Sequence, residues 1–432
     1  MMRLVLLCFY LLMFAPTSAQ HFIVRGLSVY VEDDESTFPI LVRDTVDQDG
    51  KPVRPYPRLT IQFDVVASEP PQLRIQFQHC NRNWEVDNNA FINDPNHTTS
   101  FVLQYRASPG GVEGYDYRYI NSFPDADDVV RFDYSGNWMF RILDPERTTV
   151  VAEGRFFVVD RIAPTTVSVT NDYLTANASP LNQIHKVAVR VRLPQEADGL
   201  YMTTIDVYQN RRLSHPYRCD AWDRDPYTHV EGFNTGERIF TISNILPGNE
   251  YRVLDLSNVT RYPNYTLVRL VEGADHLRLF WRTGADHDGE SQLNRFTGLS
   301  SDYLEVLFRL DMLERDYRGL TAGGRDIFLA GEFNFWNPSK EDRLAWDEAE
   351  RSYVVRKLLR RGIYDYQYVT GRWDAATNTV LDHDWTAVEG NDWRTTNTYR
   401  ALVYFNDPRF GGFDRLVGFG KGTSSAPQPG SY

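Results

Sequence analysis

D-I-F-L-A-G-E-F-N-F-W-N-P, Asp326 to Pro338, and R-R-G-I-Y-D-Y-Q-Y-V, Arg360 to Val369, decide the fold of this chain. Ile327 to Ala330 form an apolar strand that breaks at Gly331. Phe333, Phe335 and Trp336 then crowd into a turn closed by Asn337-Pro338. A second strand is predicted around Tyr353-Val354-Val355, followed by a turn at Gly362. In the third strand, Ile363 to Val369, Tyr364, Tyr366 and Tyr368 share one face because side chains alternate with period two. Three strands with aromatic corners and no helical period make half of a β-sandwich.

The rest of the chain reads the same way. Its 432 residues exceed one sandwich and suit about three domains. Hydrophobic residues make up 42%, enough to fill real cores, while 28 glycines and 22 prolines supply the turns that many short strands need. The predicted class is all-β: three consecutive immunoglobulin-like or early-set sandwiches. The first spans 22–160, where Leu59-Thr-Ile-Gln-Phe-Asp-Val and Leu73-Arg-Ile-Gln-Phe-Gln-His alternate as half-buried strands. Ile162-Ala163-Pro164 ends that unit. The second spans 165–282, and a Gly/Asp/Ser-rich linker covers 283–301. The third spans 302–419, and 420–432 reads as a disordered Gly/Ser/Pro tail.

Met1 to Ala19 reads as a secretory signal peptide. Arg3 supplies its positive end, Leu4 to Ala15 its apolar stretch, and Pro16-Thr17-Ser18-Ala19 its small-residue cleavage site. Cys8 lies inside the apolar stretch, away from the cleavage point, which argues against a lipid anchor. The apolar run is too short to span a bilayer, and no other segment is long enough. Export without a membrane span is therefore expected. Losing Arg3 takes the net charge from −12 to −13, which argues against nucleic acid or anionic lipid as partner. Cys80 and Cys219 remain after cleavage; they either pair in an oxidising compartment or stay buried thiols.

Signs of catalysis are weak. Gly418-Phe-Gly-Lys-Gly-Thr-Ser lacks phosphate-loop spacing, and neither a G-x-S-x-G elbow nor an H-E-x-x-H helix is present. Asp286-His287-Asp288 and Asp382-His383-Asp384 offer metal-ligand types, but alternate residues on a strand face opposite ways. No pair among the 58 acidic residues stands out for glycoside hydrolysis. The expectation is a non-enzyme without cofactor, metal or catalytic residue.

Two resemblances add to this reading. The opening stretch resembles the early-set modules that include glycogen-binding domains. In those modules the turn tryptophan and a later one form a stacking platform for sugars, places taken here by Trp336 and Trp373. The usual lysine of the Y-x-Y strand is replaced by Gln367. The alternative function is thus a periplasmic glycan-binding protein; the opposing reading makes both tryptophans corner anchors.

Over nearly the whole mature chain the sequence resembles the type IX secretion system plug proteins. The matching pieces begin with His79-Cys80-x-x-x-Trp84, Ser135-Gly136-Asn137-Trp138 and Arg155-Phe-Phe-Val-Val-Asp160. They continue with Gln209-Asn210-Arg211-Arg212 and Pro247-Gly248-Asn249-Glu250-Tyr251-Arg252. Beyond the opening stretch come Glu389-Gly390-Asn391, Asn397-x-Tyr399 and Phe410-Gly411-Gly412-Phe413-Asp414-Arg415-Leu416-Val417-Gly418. Local departures fall at Pro247, Thr395-Thr396 and Phe413. The resemblance implies a periplasmic subunit, monomeric within its complex and peripheral to the outer membrane. Its partner would be a giant outer-membrane β-barrel translocon, whose periplasmic opening it closes by steric blocking. It leaves the docking face unassigned.

Overall fold

A computed structural model describes residues 22–43, 57–127, 129–146, 149–173, 183–194, 199–271, 273–278, 286–293 and 302–424. Residues 1–19, read from sequence as a signal peptide, most of the 283–301 linker and residues 425–432 lie outside them. The chain is all-β, and among the described residues its strands form six sheets that face each other in pairs, with one short helix at Glu314–Leu320.

The N-terminal sandwich opposes two sheets. One orders Ile23–Val31, Leu59–Val66, Tyr117–Phe123 and Tyr105–Ala107; the other orders Ile40–Arg43, Thr149–Asp160, Gly136–Asp144, Arg74–Cys80 and Thr99–Ser100. Alternation delivers Ile61, Phe63 and Val65 from the first, and Ile75, Phe77, Phe140 and Phe156 from the second, into one core. Phe77 sits at its centre, edge-on to Phe123 at 4.9 Å and Phe132 at 5.2 Å. Leu59–Val66 departs from the half-buried strand expected. Its polar face, Thr60, Gln62 and Asp64, is buried as well.

In the middle sandwich, Thr165–Tyr173, Gln183–Arg192, Glu237–Ile245 and Thr228–Glu231 form one sheet. The facing sheet orders Tyr217–Asp220, Thr204–Gln209, Thr398–Asp407 and Phe413–Thr423. The last two strands come from the far end of the chain, so sheet membership crosses the boundary expected at 302. Residues 420–423, read from sequence as tail, are strand. Their glycines have a physical reason. A Cβ at Gly418, Gly420 or Gly422 would meet Thr165 or Val167 at 2.5–3.0 Å, because Phe413–Thr423 lies directly against Thr165–Tyr173.

The third sandwich is organised by the 12-residue strand Ile363–Asp374, which pairs with Arg252–Asp255, Ser291–Gln292, Asp326–Gly331 and Thr379–Asp384. The opposite sheet centres on Tyr303–Asp311 and Ser352–Arg360. Tyr364, Tyr366 and Tyr368 enter the shared core together, as period two requires. Their intervening partners Asp365 and Gln367 are also buried. The linker expected from sequence therefore contributes, within 286–293, a strand to this sandwich.

Candidate functional site

The polar motifs of the sequence converge on the seams between sandwiches. At the first seam, Arg74–Cys80 ends in the corner Asn81-Arg82-Asn83-Trp84. Asn81 Oδ1 accepts from the backbone of Asn83 and Glu85, and Trp84 takes φ +65°. This turn thrusts Arg82 across to the middle sandwich. Its amide and Nε donate to Asp414 Oδ2 at 2.9 and 3.2 Å, and its Nη1 reaches Thr204 and Asp220. Arg218 clamps Asp206 at 2.7 and 2.9 Å and donates to the Arg82 carbonyl at 2.7 Å. Tyr404 donates to Asn137 Oδ1 at 3.0 Å. An apolar centre of Phe38, Ile40, Phe157, Val159, Tyr208 and Leu402 backs these bonds.

Ser135-Gly136-Asn137-Trp138 needs its glycine here. A Cβ on Gly136, at φ +147°, would stand 2.1 Å from His79 Nε2. The His79 ring spans Asp87 Oδ2 at 2.5 Å and the Ser135 carbonyl at 3.0 Å.

The second seam joins middle and third sandwiches. Asn210, at φ +54°, donates to Asn397 Oδ1 at 2.7 Å and Tyr251 Oη at 3.1 Å, and accepts from the Thr398 amide at 2.8 Å. Arg211 is fully buried and grips Glu332 at 2.5 Å while also reaching the Thr37 carbonyl of the first sandwich. Arg212 lies over the Trp385 ring at 4.3 Å. Asn249 donates to the Glu389 carbonyl at 3.0 Å, and Arg252 bridges Glu389 and Asp275.

The third seam closes the triangle. Asp64, held by Arg118 at 2.7 and 2.9 Å, accepts from the Tyr303 hydroxyl at 2.9 Å, and Asp302 accepts from the Glu113 amide at 2.8 Å. This contact takes Asp64 from the polar face of Leu59–Val66, while Thr60 and Gln62 bond to Glu32, Ser122 and Tyr30 of their own sandwich. Arg82, Arg218, Arg211, Arg252 and Arg118 are ion-paired at the seams, while buried Arg212 is held by Gln209, Gln367 and the Trp385 ring. Each seam is therefore joined by directional contacts as well as apolar ones.

Trp336 is 0% exposed. Its Nε1 donates to the Gly289 carbonyl at 2.9 Å, and its ring lies 4.6 Å from Tyr251 and 6.4 Å from Trp385. No face is left for a sugar, so the platform expected with Trp373 lacks its first member. Trp373 is half-buried against the same cluster. The turn that buries Trp336 places both Phe335 and Trp336 at positive φ, which spacing alone does not reveal.

The candidate metal motifs are spent inside the fold. Asp286 accepts from the Tyr251 amide, Asp288 from the Thr398 hydroxyl, and His287 reaches Asp365 at 3.1 Å. His383 packs on Trp385 and touches His215 at 3.1 Å. Among the described residues no three His, Cys, Asp or Glu side chains are grouped to hold a metal. The acids near the second seam, Glu250, Asp286, Asp288 and Glu290, come from separate stretches of sequence, and no single motif brings them together. Burial pushes Glu250 up to about 8, with Asp286 and Asp288 adding to the rise, and Glu290 up to about 7. Cys80 and Cys219 are free buried thiols, raised to about 11 by burial.

Residues 25–160 match the family described as type 9 secretion system plug protein 1st domain, which bears out the resemblance read from the motifs over that first sandwich. No curated protein matches the chain. A crystal structure of a hypothetical protein from Parabacteroides merdae aligns over 93% of this chain and 97% of its own, at 18% identity and a TM-score of 0.71. That likeness concerns the fold alone. A biofilm-associated protein B domain aligns over 92% of this chain and 88% of its own, at 9% identity and a TM-score of 0.15, and carries no argument. No helix among the described residues is long and apolar enough to cross a membrane.

Proposed function

We propose, from a first sandwich that matches the type 9 secretion plug domain, that this chain is a plug subunit of that secretion system. In this reading the exported chain sits in the periplasm, binds the outer-membrane translocon barrel as a single copy and closes its opening sterically. The family match carries the proposal. Obstruction needs a body that does not deform, and three sandwiches locked by three seams supply one. Catalysis has no part in it.

In this reading the docking face is an exposed aromatic end. Phe91 and Phe410 stack at 5.6 Å and are 73% and 43% exposed. Trp222 is 72% exposed and follows Asp220 at the same end of the sheet, on the other side of Arg82. Large exposed rings at one end of a rigid body suit a protein interface.

Deleting the gene tests the blocking role. The expected result is increased entry of a large antibiotic through the outer membrane, reversed by the wild-type chain. An unchanged permeability in cells that still make the translocon contradicts it.

A further inference from the structure

Where the three sandwiches meet, a cavity of 290 Å³ opens between Met139 and Arg155 of the first, Leu213 and Ser214 of the second, and Glu332 and Phe335 of the third. Two arginines line it, and their situations differ. Arg211 is neutralised by Glu332 and also bonded to the Thr37 carbonyl. The Arg155 guanidinium lies 4.6 Å over the Trp84 ring and, among the described residues, makes no hydrogen bond or ion pair. Its pKa is lowered, chiefly because burial penalises the charge. Arg155 is half-buried and feels the Glu153 charge but is bonded to no acid, so a carboxylate entering the cavity would give its guanidinium the hydrogen-bonded partner it lacks.

We propose that this cavity is a ligand site for a monocarboxylate on a short apolar stem, received by Arg155. The planar fork of the guanidinium matches a carboxylate, and Trp84 holds it flat from behind. Val29, Pro39, Met139, Leu213 and Phe335 supply the walls for an apolar stem. The remaining charges set the ligand's charge. Glu153 and Glu332 line the same space, so a single negative charge is tolerated better than a phosphate dianion. The carboxylate comes either from a free organic acid or from a chain end inserted by a protein partner. Either would touch all three sandwiches at once and so stabilise their assembly. This inference does not depend on the plug reading.

The test is thermal unfolding of the full mature chain titrated with sodium hexanoate. A saturable rise in Tm is expected. In Arg155→Gln the apparent affinity should fall about tenfold or more, the loss of a charge-assisted bidentate contact. Without hexanoate, that variant should unfold near the wild-type temperature, because Arg155 is half-buried and no hydrogen bond or ion pair is lost with it. If it fails to fold, Ser214→Phe, which fills the cavity from the opposite wall, should abolish the hexanoate shift instead. A tripeptide ending in leucine, as free acid and as amide, separates the sources. A shift from the free acid alone, with none from hexanoate, points to a protein chain end. A hexanoate shift equal in wild type and Arg155→Gln, or no shift from either hexanoate or the tripeptide acid, overturns the proposal. So does an Arg155-dependent shift from inorganic phosphate that hexanoate does not give.

Discussion

At the scale of single residues, the second seam carries titratable groups of opposite tendency, and together they set a pH profile. Glu250, Glu290 and Asp365 are raised by burial, to about 8, about 7 and about 6. Between the ordinary carboxylate range and those values the folded state holds protons that the unfolded chain has lost, so stability falls as pH rises. His185, His383 and His215 are lowered by burial, to about 4, about 4 and about 3. Over roughly pH 4 to 6.5 the unfolded chain holds the extra protons on these rings, and stability there rises with pH. Above roughly pH 6.5 the rings are neutral in both states and the carboxylates act, joined toward pH 8.5 by the buried thiols of Cys80 and Cys219, which lower stability in the same direction. Tm should therefore decline from pH 6.5 to 8.5. Glu250→Gln keeps an oxygen for the Thr396 amide, which donates at 2.9 Å, and removes the titration. That variant should show a visibly flatter decline and a higher Tm at pH 8.5. An identical slope in the variant would locate the effect elsewhere.

At the scale of elements, Phe413–Thr423 shows what the sequence conveys and what it withholds. Gly418→Ala would place a methyl 2.5 Å from Thr165 Oγ1 and 2.9 Å from the Ala163 carbonyl, and backbone cannot move aside cheaply. A loss of about 1–3 kcal/mol is expected in urea unfolding, the usual cost of overpacking. A change below about 0.5 kcal/mol, typical of a free surface site, would contradict the close approach. Period-two alternation made most strands legible, including the tyrosine face of Ile363–Asp374. Partner choice was not legible, because a strand's sequence names its faces and not its neighbour. Gly418-Phe-Gly-Lys-Gly therefore reads as tail until Thr165 and Val167 are seen against it. The same limit hid the third seam. Thr60, Gln62 and Asp64 look like a solvent face, yet Tyr303 of another sandwich takes Asp64, and Glu32, Ser122 and Tyr30 of the same sandwich take the other two. Trp336 was equally ambiguous, since an aromatic in a turn serves a sugar or a core, and consecutive positive φ angles decided for the core.

At the scale of the whole molecule, the seams predict cooperative behaviour. Arg82, Arg211 and Tyr303 each tie one sandwich to another through buried or half-buried polar contacts. Calorimetry of the mature chain should give one dominant transition. Three resolved transitions would mean that the sandwiches unfold independently. Removing the Arg211 guanidinium strands Glu332, so Arg211→Ala should cost about 3–5 kcal/mol. It should also split the transition.

Rigidity matters only if the body meets its barrel. The deciding measurement is a pull-down of the tagged mature chain from detergent-solubilised outer membranes, with mass spectrometry of what is retained. The plug account predicts a giant β-barrel in near-stoichiometric yield, lost when Phe91, Trp222 and Phe410 are changed together to serine in a chain that still folds. Retention of no large barrel from membranes known to contain the translocon would contradict it.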